Sequence, residues 1–224
     1  MDAQTGLMLF GAGLAGGVVT AMVGGASLIT FPALLAGGLP AVIANASNTV
    51  ALTPGNLVAA LADAERRPRW DRSLMAVSAV CVAGSGAGAA LLHLTPEKAF
   101  TAVVPLLVGF ATLLFALSGP IRTWIVSRAS TSGGAGSATL LFAPVAVYGG
   151  YFGAGMSVML LAILSVTRPD DFRAINVIKN LLASLTSVVA VLVFVAQGVV
   201  AWPPTLVVMA GAALGGVLRG RVRS

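Results

Sequence analysis

Apolar runs of 17 to 32 residues, separated by short polar breaks, fill most of the chain. They cover roughly 6–37, 40–62, 73–92, 99–118, 138–167, 173–196 and 202–218. Between Asp2 and Asp63 stand 60 residues without a charge, whereas about 20 apolar residues suffice to cross a bilayer. The runs are continuous and do not alternate with period two, so they do not describe a barrel of ~10-residue strands. The pattern predicts an all-α polytopic membrane protein.

The breaks are legible. Residues 64–72 (AERRPRWDR) form a charged loop, and 93–98 (HLTPEK) a short turn, with Thr95 expected to cap a helix that Pro96 opens. Residues 130–137 (STSGGAGS) read as a flexible linker. Arg168-Pro169-Asp170-Asp171 should end one run and cap the next.

Two runs have an awkward length. Residues 6–37 and 138–167 are long for one crossing and short for two. Each has glycines near its middle, Gly24-Gly25 in one and Gly149-Gly150, Gly153 and Gly155 in the other. Glycine is costly inside a helix, so each run is expected to be a re-entrant hairpin of two half-helices. The arginines favour this. If both runs crossed once, six Arg would fall on one side and five on the other. If both return to their own side, all eleven share one side, as the excess of cytoplasmic Lys and Arg in membrane proteins demands. The charged loops and C-terminus are then cytoplasmic and the N-terminus is not.

A weak repeat agrees. At an offset of 130, Gly25-Ala26-Ser27-Leu28 meets Gly155-Met156-Ser157-Val158, Leu34 meets Leu164 and Ala44 meets Ala174; at 127, Gly84 and Gly88 meet Gly211 and Gly215. A hairpin followed by an odd number of crossings makes two such halves inverted, a recurring transporter plan. The expected division is 1–128 (hairpin 6–37, helices 40–62, 73–92 and 99–118), linker 129–137, and 138–224 (hairpin 138–167, helices 173–196 and 202–218). Nothing after Ser224 matches 99–118, so the last helix of the second half is expected to be missing.

Composition excludes much else. The 224 residues are 58% hydrophobic and 9% charged, with a mean hydropathy of +0.98, against about 25% charged in soluble domains. A soluble enzyme, a nucleic-acid binder and a disordered chain are ruled out. The net charge of +6 and pI near 10.8 therefore reflect loop arginines that set topology. One cysteine, Cys81, offers no disulfide framework or thiolate metal site. The N-terminus lacks the basic region of a signal peptide and should be retained.

The run Gly24-Gly25-Ala26-Ser27-Leu28-Ile29-Thr30-Phe31-Pro32-Ala33-Leu34-Leu35 resembles the Gly-rich first motif of the sulfite exporter TauE/SafE family, also called TSUP permeases. Its usual continuation stands here as Ala44-Asn45-Ala46-Ser47-Asn48-Thr49. The second-half pattern is more specific: Tyr148-Gly149-Gly150-Tyr151-Phe152-Gly153-Ala154-Gly155, then Asn176-Val177-Ile178-Lys179-Asn180, then Phe194, Gly198 and Trp202. The resemblance covers about 15–218 and implies a bacterial inner-membrane carrier for sulfite, sulfonates, sulfoacetate or related anions. The missing final helix departs from it.

Candidate substrate-binding residues follow from chemistry. Lys179 is the one charged residue well inside an expected span, a costly placement; it either attracts an anion or snorkels to the near surface. Asn176 and Asn180 flank it and either orient an anion or cap backbone. Gly24, Gly25, Ala26 and Ser27, with Gly153, Gly155 and Ser157, lie where half-helices begin. Free N–H groups and the positive dipole end suit an oxyanion there; alternatively the glycines only permit close packing. Asn45, Ser47, Asn48 and Thr49 follow the first hairpin, and at least one should bond backbone instead. Tyr148, with Tyr151, Phe152 and Trp202, either lines a pathway or belongs to an interfacial belt. Cys81 reads as packing and His93 as interfacial.

No span carries Asp or Glu, no Walker motif is present, and His93 is the single histidine. The chain is therefore expected to be no enzyme, with no catalytic or metal-binding residues and no cofactor. Its expected partners are a small anion, the lipid bilayer and a second copy in a homodimer, with no nucleic acid. An anion channel, or an importer of a related anion, is the alternative to an exporter.

Overall fold

A computed structural model describes residues 2–22, 25–62, 70–120, 123, 138–168 and 172–222. Among these residues the regular structure is helix, joined by short turns. In chain order the helices are α1 (Ala3–Met22), α2 (Ser27–Ala36), α3 (Ala41–Ala62), α4 (Arg72–Leu94), α5 (Glu97–Ala116), α6 (Ala138–Tyr151), α7 (Met156–Thr167), α8 (Phe172–Ala196) and α9 (Trp202–Val222). Apolar chain in hydrocarbon must satisfy its own backbone groups, and a helix does so within one segment. Four stretches, Ala3–Thr20, Arg72–Leu94, Glu97–Ala116 and Ala174–Ala196, are long and apolar enough to cross a membrane. The linker 130–137, Gly24 and Arg66, Arg67, Arg69, Arg122, Arg128 and Arg223 lie outside the described residues.

Both awkward runs are broken. The first breaks between α1 and α2, the second between α6 and α7, where Gly25 (φ +114°), Gly153 (φ +78°) and Gly155 (φ +81°) take left-handed backbone that a Cβ would strain. Gly25 and Gly155 are the positions matched at an offset of 130. The first hairpin corrects one expectation: its arms are not two half-helices. With 20 residues α1 is long enough to span, about 30 Å, and only α2, with 10, is a half-helix. The second hairpin has arms of 14 and 12. Between Thr5 and Thr20 no polar residue interrupts α1, so its apolar run supports a full-length helix.

The packing of one half is exchanged for that of the other. Helix α1 lies against α9, and α4 against α6; α3 crosses α8, α4 touches α8 and α3 touches α9. The seams are built alike. A Cβ on Gly211 would strike Phe10 O and Leu14 N, and one on Gly215 would strike Leu14 O and Val18 N. A Cβ on Gly84 would strike the Ala146 Cβ and crowd Ala143 O and Val147 N, and one on Gly88 would strike Val147 O and Tyr151 N. All four glycines thus let backbone meet backbone, the small-residue packing that membranes favour.

Two contacts bear on the path of the chain. Arg168, at the end of α7, pairs with Asp71, at the start of α4, at 2.6 Å. A single crossing through 138–167 would leave these residues on opposite faces. Ala201 N, before α9, donates to Ser47 Oγ in α3 at 3.0 Å, which the same single crossing would also forbid.

Local caps differ from expectation at one turn. Thr95 does not cap α5. Its hydroxyl donates back to Leu91 O at 2.7 Å, closing α4, and Pro96 is the residue before α5. Glu97 then opens α5 and turns its carboxylate to the amides of Ala41 and Val42, where Pro40 leaves α3 uncapped. Arg168 is likewise not a freely solvated loop residue. Its side chain is 15% exposed because Asp71 draws it across the α4 start. Asp71 also accepts from Leu74 N at 2.6 Å; that bond, with Arg168 beside it, holds its carboxyl below the usual range.

Candidate functional site

Helix α3 carries more polar groups than any neighbour needs, and it keeps them inside. Asn45, Ser47, Asn48 and Thr53 are buried, while Thr49 and Asn56 are half-buried. Most hold structure. Asn45 Nδ2 donates to Tyr151 O at 2.9 Å, tying α3 to the end of α6. Ser47 accepts from Ala201 N. Asn48 Oδ1 receives the Thr30 hydroxyl, which fastens α2 to α3. Thr49 and Thr53 donate to the carbonyls of Asn45 and Thr49, four residues back, at 3.0 and 2.7 Å.

Further along, α3 meets α8. Asn56 Nδ2 donates to Ser187 Oγ at 3.2 Å, and Ser184 Oγ donates to Asn56 O at 2.9 Å. Beside this crossing lies a cavity of about 90 Å³. A water requires on the order of 10–15 Å³ of such space, so several waters or one small polyatomic ion would fit. Gly25, Ala26 and Ser27 come to it from the first hairpin, and Gly153, Gly155, Met156 and Ser157 from the second. Thr20 from α1, Thr49, Leu52 and Asn56 from α3, Phe115 from α5, Phe152 from the second hairpin tip, and Ala183 and Ser187 from α8 complete most of the wall.

Three features define its chemistry. First, α2 and α7 both start here, with Ser27 and Met156 as their first residues. Helix starts carry unsatisfied N–H groups and roughly half a positive charge. Among the described residues, the amides of Ser27 and Ser157 have no backbone acceptor. Second, among the described residues the lining offers four more polar residues, Thr20, Thr49, Asn56 and Ser187, and no ionisable side chain. Thr20 Oγ1 is covered yet has no hydrogen-bond partner. Third, Phe115 and Phe152 give two apolar walls, and Phe152 is held edge-on to Phe31 at 5.4 Å.

The structure thus gathers Gly25, Ala26, Ser27, Thr49, Gly153, Gly155 and Ser157 around one space. It places the other candidates elsewhere. Asn45, Ser47 and Asn48 sit in inter-helix bonds. Tyr148 donates its hydroxyl to Ala154 O at 2.7 Å, bracing the second hairpin, with Phe110 and Phe152 edge-on at 5.7 and 6.2 Å. Asn176, Lys179 and Asn180 are half-buried on α8, with Lys179 one turn before Ala183; none of the three lines the cavity. Cys81 packs in the buried cluster of α4, α6, α7 and α8. His93 is exposed in the last turn of α4, and Trp202 is exposed. Among the described residues no cluster of His, Cys, Asp or Glu could hold a metal.

Thr20, Asn56, Ser187 and Phe115 are lining residues that sequence reasoning passed over. A signal existed for two of them. Asn56 and Ser187 are polar residues inside apolar runs at nearly the repeat offset. Thr20 and Phe115 carried none, since only the folding of α1 and α5 against the tips brings them in.

The family model described as sulfite exporter TauE/SafE matches residues 9–223. No curated protein and no solved structure matches the chain. The chain belongs to the TauE/SafE family, whose members are membrane transporters of sulfite-type anions and not enzymes.

Proposed function

We propose that this TauE/SafE member is a secondary carrier that exports sulfite or organosulfonates across the bacterial inner membrane, and that the cavity between the hairpin tips holds the anion in transit. One observation carries the reading: Ser27 and Ser157, matched across the repeat, stand in the first turns of two short helices that open on the same polar cavity. Half-helix starts meeting near the middle of a membrane are a known way to hold an anionic group without a fixed cation. Gly25, Ala26, Ser27, Thr49, Gly153, Gly155 and Ser157 bind substrate, joined by Thr20, Asn56 and Ser187. Asn45, Ser47, Asn48 and Tyr148 hold the frame. Asn176, Lys179 and Asn180 act on the anion only through charge and dipole at a distance.

The two halves, 1–128 and 138–224, are inverted repeats with the Arg-bearing loops on the cytoplasmic face. Among the described residues no Asp or Glu lines the cavity, which favours a carrier without a proton-shuttling carboxylate there. An inside-negative potential drives a monoanion outward by about 2.3 kcal/mol per 100 mV, which makes export the downhill direction. The test is efflux of a sulfonate from proteoliposomes under a potassium diffusion potential. Saturable efflux that follows the sign of the potential, and survives collapse of the pH gradient, is expected. Efflux that requires the pH gradient and ignores the potential overturns the reading; a non-saturating flux at channel rates favours a channel.

A further inference from the structure

The cavity has a charge capacity that its lining fixes. Two helix starts open on it, each worth roughly half an elementary charge, and together they offset about one negative charge. Among the described residues, no lysine, arginine or histidine lines it. The cost of taking an ion out of water grows with the square of its charge, so a dianion in this cavity is left far more exposed than a monoanion. The polar groups present also accept hydrogen bonds. Ser27, Ser157, Thr49 and Ser187 are hydroxyls, and Asn56 uses its amide nitrogen on Ser187 and leaves Oδ1 as an acceptor. A ring of guanidinium or ammonium groups could only donate. The covered, unpartnered hydroxyl of Thr20 adds a group that lacks a partner until something occupies the space.

We infer that the cavity selects the charge state of its substrate: it takes small monoanionic oxyanions, including those that keep an acidic O–H, and rejects the corresponding dianions. This rests on the anion-carrier reading above. Sulfite would then be carried as its hydrogen form, with the acidic proton held by a hydroxyl or by Asn56 Oδ1, and fully ionised sulfate would be excluded.

The experiment is equilibrium binding to the full chain in nanodiscs, with oxygen excluded. The probes are methanesulfonate (a monoanion throughout), sulfate (a dianion throughout) and sulfite (whose second ionisation lies near neutral pH). Methanesulfonate should bind at least about tenfold more tightly than sulfate and change little with pH. The apparent affinity for total sulfite should fall toward tenfold per pH unit above that ionisation, as the monoanion is depleted. Ser157→Lys, which places a cation in the cavity, should reverse the preference toward sulfate. If that variant does not fold, the wild-type pH series decides alone. Sulfate binding as well as methanesulfonate, or sulfite affinity flat or rising with pH, overturns charge-state selection and leaves the carrier reading standing. Binding of none of the three overturns the carrier reading, and this inference with it.

Discussion

Glycines do two different jobs in this chain, and the contrast between the interhelical seams and the hairpin tips separates structure from function. Along α1/α9 and α4/α6, Gly88, Gly150, Gly211 and Gly215 face carbonyls and amides of the neighbouring helix so closely that a Cβ has no room. Their backbone is ordinary helix. At the tips space is less limiting, with the nearest atom to a Cβ at 3.1 Å on Gly153 and 3.4 Å on Gly155, but their φ is +78° and +81°. The seams need absence of volume; the tips need freedom of backbone. Gly25 needs both, because its φ is +114° and Phe115 lies 2.7 Å from where its Cβ would be.

The largest effect should come from the seams. Gly88→Leu or Gly215→Leu forces two backbones apart, and overpacking of this kind costs ~1–3 kcal/mol or more. Loss of the folded, monodisperse protein is expected on size exclusion, whereas Gly109→Leu, with nothing near its Cβ, should behave as wild type. Equal behaviour of Gly88→Leu and Gly109→Leu would break the seam half of the comparison.

Next comes the tip. Gly155→Ala must adopt left-handed backbone at a cost of roughly 1–2 kcal/mol. The protein should remain folded, with a melting temperature a few degrees lower, while sulfonate binding falls at least about tenfold because the start of α7 is re-aimed. A variant that melts earlier yet binds as before would show that the tip is structural.

Smaller again are the hydroxyls. Ser27→Ala and Ser157→Ala each remove one hydrogen bond to the anion, about 0.5–1.5 kcal/mol, or roughly two- to tenfold in affinity, with stability unchanged. Lys179→Ala should weaken binding by less than either serine, since Lys179 does not line the cavity. Titration calorimetry ranks the three, and a dominant Lys179 effect would move the site along α8.

The smallest concerns the Asp71–Arg168 pair, half of which is exposed. Exposed pairs contribute under about 1 kcal/mol. The Asp71 carboxyl is held below its ordinary range in the folded state. Its contribution is therefore present above the unfolded value, near 3.8, and lost as pH falls through the lower folded value. Asp71→Asn should melt slightly below wild type at pH 7 and converge with it as the pH falls through the lowered folded value.

Much of this was written in the sequence. The apolar runs fix helices because lipid leaves the backbone no other partner. The glycine clusters mark where two of those helices break, and the pairing of Ser27 with Ser157 could be read from residue order alone. Other features came only from folding. The capping of α3 by Glu97 from 56 residues away and the clasp of Arg168 on Asp71 depend on which ends meet in space. The same holds for the site. The sequence marks polar residues in α3 and α8 without saying which face the cavity; packing turns Asn56 and Ser187 toward it and commits Asn45, Ser47 and Asn48 to neighbouring helices. Local periodicity and backbone satisfaction are properties of a segment, and one chain states them. Whether a buried polar group bonds a neighbour or faces a cavity depends on the groups opposite it, and only the tertiary structure supplies those.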